Sequence, residues 1–222
     1  MTDIRHYVLW GSAGHAKVLD ESIRTLQGRV IALFDSSPDA KSCLFDVPLI
    51  GGVESFPTWV TTRADRKDLF GLVAIGGARG AERLALQEMM ACHGLRMEPL
   101  IHPRAFVADN TRLGKGTQVL ALALVAADVS IGDACIVNHK ASIDHECLLE
   151  DGVHVAPGAT LCGCVKVSSH AMIGAGAVVL PRLRIGRSSI VGAGAVVTKD
   201  VPEGVIVAGN PATILRRKPL NI

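Results

Sequence analysis

Every sixth residue from Ile101 to Val197 gives seventeen positions, and all of them are Ile, Leu or Val. The series runs through Val119, Ile131, Ile143, Val155, Ile173 and Val191 without a slip. A period of six fits neither the 3.6 residues of an α-helix nor the alternation of an ordinary strand; it is the hexapeptide period of a parallel β-helix. Three hexapeptides then make one triangular coil, with the aliphatic residue pointing into the prism on each face. The residue four places later is mostly small or β-branched, as in Ala105, Thr117, Ala123, Cys135, Ala141 and Cys147, and fits near the tight corner. An unbroken register leaves no long loop between coils. The pattern stops at "DVPEGVIVAGNPATILRRK", where Pro202, Gly204, Gly209 and Pro211 end it and a short helical cap is expected to follow.

Before residue 98 the periodicity changes. "HYVLWG" reads as a buried strand, "GHAKVLDESIRTL" as an amphipathic helix, "VIALFD" and "LFGLVAIGG" as further strands, and "AERLALQEMMACHG" as a helix. Strands alternating with helices imply a small parallel α/β sheet. The expected organisation is therefore a Rossmann-like α/β domain over residues 1–97, followed by a β-helix with a C-terminal cap over 98–222. Hexapeptide repeats of this kind resemble the left-handed β-helix, an exception to the right-handed crossover preference.

The 23 basic and 21 acidic residues are spread along the chain, so no electrostatic footprint for nucleic acid or an anionic membrane is present. No uncharged apolar stretch reaches the roughly 18 residues that cross a bilayer, and the N-terminus lacks a cleavage pattern. A cytoplasmic protein is expected. Cys43, Cys92, Cys135, Cys147, Cys162 and Cys164 form no CxxC pair and read as buried free thiols of a reducing compartment. Aromatics at 4% beside 23 glycines suggest an interior of small and aliphatic side chains.

Gly11-Ser12-Ala13-Gly14-His15 follows the first strand and opens the first helix, where an α/β sheet offers backbone N–H groups and a positive helix end to phosphate. It lacks the third spaced glycine of the dinucleotide fingerprint. Asp35 ends the second strand, where an acid meets a ribose or base, and Ile75-Gly76-Gly77 ends another strand, with Arg79 and Arg83 just beyond. Three strand ends converging on one crevice point to a nucleotide-type ligand; the same glycines would also serve simply to tighten turns.

Within the repeat, "VNHKASIDHECLLEDGVH" places Asn138, His139, His145 and His154 within about one coil. Zinc is one reading, but the intervals among His139, His145, His154 and His170 do not reproduce the three-histidine spacing of hexapeptide-repeat carbonic anhydrases. Asp144-His145-Glu146 carries more information. A neighbouring carboxylate fixes the imidazole tautomer and stabilises the cation formed when the ring accepts a proton, which is what a general base needs.

These segments together resemble the hexapeptide-repeat sugar acyltransferases, which include bacillosamine-type nucleotide-aminosugar N-acetyltransferases and sialic acid O-acetyltransferases. The resemblance runs over nearly the whole chain: "GSAGHAKV", Asp35, "AIGG", "CIVNHKASIDHECLLEDGVHVAPGA" and "VTKDVPEGVIVAGNPA". It implies His145 as general base with Glu146 beside it, His154 near the acetyl group, Asn138 at the substrate, and Gly163 near the thioester. It also implies a homotrimer with acetyl-CoA lying between two β-helices. The N-terminal domain would hold the nucleotide sugar through Gly11, Ser12, Gly14, His15, Asp35 and Gly76. Asp144 and His139 stand where relatives vary.

The activity so implied is N-acetylation of a nucleotide-linked aminosugar, with the 4-amine as acceptor, by direct transfer from acetyl-CoA without a metal, for a surface polysaccharide or glycan. No nucleophilic cysteine is needed, and Cys147 is expected to be buried. Lys199, Arg216, Arg217 and Lys218 are candidate partners for the CoA phosphates. O-acetylation of a sugar acid is the nearest alternative; a binding scaffold and a zinc lyase are the others. The nucleotide, UDP, GDP or dTDP, is not legible.

Overall fold

The computed structural model describes residues 4–217. The chain groups into two compact units, residues up to 76 with 85–98, and residues 77–84 with 99 onward.

In the first unit, strands β1 (His6–Trp10), β2 (Arg29–Phe34), β3 (Leu49–Gly51) and β4 (Phe70–Val73) pair in parallel in the order β3-β2-β1-β4. The central strands are apolar on both faces because both are covered: Val8, Leu9 and Trp10 are fully buried. Helix α1 (Gly14–Thr25) buries Ala16, Leu19 and Ile23 and turns Lys17, Glu21 and Arg24 outward, the spacing of a one-sided helix. A further helix is α2 (Ser55–Thr61), and α3 (Gly80–Cys92) contributes its residues from 85 onward to this unit. The aromatic residues are not thinly spread: Trp10, Phe34 and Phe56 pack together at ring-centroid distances of 5.0 to 5.6 Å. An aliphatic interior describes the second unit only.

The second unit is built from two-residue strands that recur every six residues. Each pairs in parallel with the strand one coil on, as Ser142 with Thr160 and His154 with Met172. Three faces result, with six, five and eight strands. The predicted aliphatic series lines the interior, where Val119, Ile143, Val155, Ile173 and Val191 are fully buried, and the small residues at the fourth place, Cys135, Ala141, Val153 and Ala159, are buried with them. Corners adopt left-handed backbone at every sixth residue, including Leu122, Lys140, Glu146, Cys164 and Arg182, at φ of 57 to 64°. For a residue with a side chain this costs roughly 1–2 kcal/mol, offset here by the ladders and the core on either side.

Among the described residues the C-terminal cap is not helical. Val205–Ala208 adds in parallel to Ile190–Val191 and pairs antiparallel with Thr213–Arg217. The alternation in Val205-Ile206-Val207 buries the first and third residues and suits a strand, and Gly209, at φ +96°, turns the chain back.

Candidate active site

His145 and Glu146 occupy the corner between the rungs Ser142–Ile143 and Leu148–Leu149. The left-handed backbone at Glu146 sends both side chains away from the prism, and they are 52% and 62% exposed. Asp144 Oδ1 accepts the His145 backbone N–H at 2.8 Å and holds the corner. His145 Nδ1 lies 3.0 Å from Glu146 Oε2. A carboxylate oxygen only accepts, so in the neutral ring Nδ1 carries the proton and Nε2 presents the lone pair. One coil on, Gly163 lies against the ring: a Cβ there would stand 2.5 Å from His145 Nε2 and 2.7 Å from Cε1. Among the described residues, no acceptor within the chain takes the Gly163 N–H. Nε2 and a backbone donor therefore share one locality.

Cys164, one coil from Glu146, places its Sγ 3.7 Å from the same Oε2. The eighteen-residue coil relates both pairs, 145 with 163 and 146 with 164, so the repeat length alone would have found this neighbour. Among the described residues His145, Glu146 and Cys164 are the grouping of three potential metal ligands, and His139, His154 and His170 are not in it.

His154 lies elsewhere. It sits on the eight-stranded face, which in a three-faced coil is opposite the His145 corner, and is only 5% exposed. Both ring nitrogens are engaged within the chain, Nδ1 with the Gly77 carbonyl at 3.3 Å and Nε2 with Asn138 Nδ2 at 3.2 Å. Asn138 Oδ1 accepts the His139 N–H at 2.8 Å, which fixes the amide so that its nitrogen faces His154. A single chain thus brings Asn138 to His154 and does not bring either to the His145 corner. Arg83, read from sequence as a neighbour of the nucleotide crevice, is fully buried and donates instead to carbonyls of Gly77, Ala134 and Gly152. Arg79 is exposed and pairs with Glu82.

In the first unit, Gly11 has φ +113°, and a Cβ would stand 2.6 Å from the Ala74 oxygen, so the turn after β1 requires glycine twice over. The Asp35 carboxylate accepts the Ser12 N–H at 2.7 Å and the Ser37 N–H at 2.9 Å, joining the turn to the loop after β2. Ser12 Oγ donates to the Lys41 carbonyl at 2.7 Å. Asp35 with Ser36, Ser37, Ile50 and Gly51 lines a cavity of about 210 Å3 at the ends of β2 and β3. Gly14 opens α1, which has no side-chain cap, and His15 follows it half-buried. A Cβ on Gly14 or Gly76 would meet nothing within 4 Å, so nothing in the chain itself demands glycine there.

Lys199 and Arg216 are exposed, whereas Lys218 and the Arg217 side chain lie outside the described residues. All six cysteines are free, but they are not uniformly buried: Cys92 is exposed, and Cys43, Cys162 and Cys164 are half-buried. Burial pushes the Cys135 thiol up to about 12 and the Cys147 thiol up to about 11. At neutral pH neither is a nucleophile. Iodoacetamide at pH 8 is therefore expected to label Cys92 in the folded protein and to spare Cys135 and Cys147 until denaturant is added. Peptide mass mapping checks this, and early labelling of Cys147 would contradict it.

No protein-family profile matches the chain. A GDP-perosamine N-acetyltransferase of Escherichia coli is 34% identical over 178 residues, covering 78% of this chain and 80% of the relative. PerB from Caulobacter crescentus, solved in complex with CoA and GDP-perosamine, superposes with a TM-score of 0.86 at 36% identity, covering 96% of this chain and 99% of that one. The acetyltransferase domain of PglB from Neisseria gonorrhoeae, solved with acetyl coenzyme A, superposes at 0.84 with 31% identity, covering 96% and 100%.

Proposed function

The chain belongs to the hexapeptide-repeat nucleotide-aminosugar N-acetyltransferases, and we propose that it acetylates the 4-amine of a nucleotide-linked sugar with His145 as general base. It is an acetyl-CoA-dependent acyltransferase. The observation that carries the reading of the base is the orientation of the His145 ring, held through Nδ1 by Glu146 with Nε2 lying against Gly163.

In this mechanism the sugar amine attacks the thioester carbonyl and Nε2 takes the proton that the nitrogen sheds as the C–N bond forms. Glu146 stabilises the imidazolium. The Gly163 N–H donates to the oxyanion, a contact that gains strength as charge develops there. Collapse of the tetrahedral intermediate breaks the C–S bond, and the proton on His145 passes to the departing thiolate of CoA. His154 has spent its N–H on Gly77, so in this reading it serves the site through Asn138 instead of donating to the oxyanion itself.

The first unit we read as a Rossmann-like nucleotide-sugar domain. Its parallel sheet, the Asp35 cavity and the open space beside Gly14 and Gly76 support this, with Gly11, Ser12 and His15 shaping the turn. The second we read as a left-handed β-helix that carries the acetyl transfer, with Lys199 toward the CoA phosphates. The product would enter a surface polysaccharide or glycan. Six free cysteines suit the reducing cytoplasm, where we place the reaction. No helix among the described residues is long and apolar enough to cross a membrane.

We further read the protein as a homotrimer. The outward positions of the six-stranded face are Phe106, Leu124, Ser142, Thr160, Val178 and Val196, with no charge among them, and Phe106 and Leu124 are 60% and 40% exposed. The five-stranded face presents Arg112, Lys166 and Arg184. A second copy on the apolar face would bring the edge carrying His145 to the seam and supply the neighbour that one chain lacks. Leu124→Asp is expected to shift the mass in solution from trimer to monomer in light scattering; an unchanged mass would remove this face from the seam.

The purified protein with acetyl-CoA and UDP-, GDP- or dTDP-linked 4-aminosugars tests the activity by thiol release and product mass. GDP-linked acceptors come first, given PerB. Acetylation at the amine is expected. Release only with sialic acid, as an ester, or with no acceptor in the panel, would overturn the reading.

A further inference from the structure

The buried Arg83 is the feature that the proposed chemistry leaves unused. Its guanidinium is fully buried, with Nε 3.1 Å from the Ala134 carbonyl, one terminal nitrogen 2.7 Å from the Gly152 carbonyl and the other 3.2 Å from that of Gly77. Burial pushes its pKa down to about 10. A desolvated charge contributes little net stability, since an apolar residue of similar size commonly does as well, so what Arg83 adds is the fixed geometry of its three carbonyl partners. The three carbonyls come from the segment 77–84 and from two turns of the coil, one eighteen residues after the other. Gly80 and Gly152 lie backbone on backbone at this place: a Cβ on Gly152 would stand 2.8 Å from the Gly80 oxygen.

The Gly77 oxygen takes a second donor, His154 Nδ1, at 3.3 Å. A carbonyl can only accept, so Nδ1 bears the proton; an amide nitrogen can only donate, so Nε2 facing Asn138 Nδ2 is bare. His139 N–H on Asn138 Oδ1 excludes the flipped amide. The ring is thus the neutral Nδ1–H tautomer, and it leaves Asn138 one N–H and one lone pair to offer outward.

We propose that Arg83 is a positioning residue of the acetyl-transfer site: by holding the Gly77 carbonyl it fixes the tautomer of His154 and, through that ring, the orientation of the Asn138 carboxamide. This rests on the reading above that places Asn138 at the substrate. Arg83 itself touches no reactant. Loss of the clamp frees Gly77, and the imidazole can then take the alternative tautomer, which presents N–H against N–H and turns the amide away.

The test is nitrogen-resolved NMR of protein labelled in its histidine rings, with the His154 resonances assigned by their loss in His154→Gln. The parent is expected to show a protonated Nδ1 and a bare Nε2 at His154. Arg83→Met is expected to lose that signature and to lower kcat/KM for the aminosugar by about tenfold to a hundredfold, the scale of a misplaced contact, with KM for acetyl-CoA little changed. Arg83→Lys keeps the charge and the stem, and serves if the methionine variant does not fold. A point ammonium cannot reach three carbonyls, so its signature moves too. An Nε2–H tautomer in the parent, or an unaltered His154 signature in whichever variant folds, overturns the proposal. The tautomer is read without turnover, so absence of acetyl transfer in the parent would fail the functional reading separately.

Discussion

His145→Ala is expected to lower kcat/KM by about 10²- to 10⁴-fold, the typical contribution of one positioned base, with CoA binding and oligomeric state unchanged. The side chain is half-exposed at a corner and contributes nothing to the prism interior, so its removal leaves the ladders intact. The corner itself is held by the Asp144 carboxylate on the His145 backbone N–H and by the backbone bond from Cys164 N–H to the His145 carbonyl at 2.9 Å, neither of which needs the imidazole. Glu146→Gln should cost less, because an amide oxygen can still accept from Nδ1 while no longer stabilising the cation. Initial rates with saturating acetyl-CoA, beside calorimetry for CoA, separate chemistry from binding. Near-normal turnover in His145→Ala would remove the base, and the mechanism with it.

The prism was legible because its repeat is short, strict and one residue deep: a single aliphatic position per face is enough to define the interior. The corners were not. Left-handed backbone at Leu122, Ala134 and Arg182 is imposed by the ladders and not by the residue, so no glycine marks it. In the first unit the long apolar strands and α1 were visible, whereas Leu49–Gly51 and the seven-residue Ser55–Thr61 are too short for a period to declare itself. The last strand, Thr213–Arg217, is not legible as a strand because proline and glycine announce an ending without saying of what kind. For the site, His145 with Glu146 followed from adjacency in sequence, which the corner preserves. The surroundings of His154 depend on Gly77, seventy-seven residues before it, and those of Arg83 on Ala134 and Gly152, fifty-one and sixty-nine residues after it, pairings that no local spacing announces.

Gly163→Ala is the sharper test of the same site, since it adds one methyl group and removes no functional group. The backbone at Gly163 does not lie in the left-handed region that favours glycine, so alanine is admissible there in principle. What stands in its way is the imidazole of the proposed base: the new Cβ would lie 2.5 Å from Nε2 and 2.7 Å from Cε1 of His145. Something must move, and the half-exposed imidazole moves more cheaply than a corner held between two paired rungs. Swinging out, it stretches the bond to Glu146 and carries Nε2 away from the Gly163 N–H, so the proposed base, its orienting carboxylate and the proposed oxyanion donor lose register together. Displacement of about 1 Å in such a constellation costs on the order of 10²-fold, and a fall in kcat of that size is expected with a melting temperature close to the parent's. The double variant Gly163→Ala with His145→Ala separates this route from a general disturbance. If the methyl acts by displacing the ring, it should add little once the ring is gone. A full additive loss in the double variant would mean that Gly163 serves the reaction independently of His145, and that the clearance beneath the imidazole is incidental.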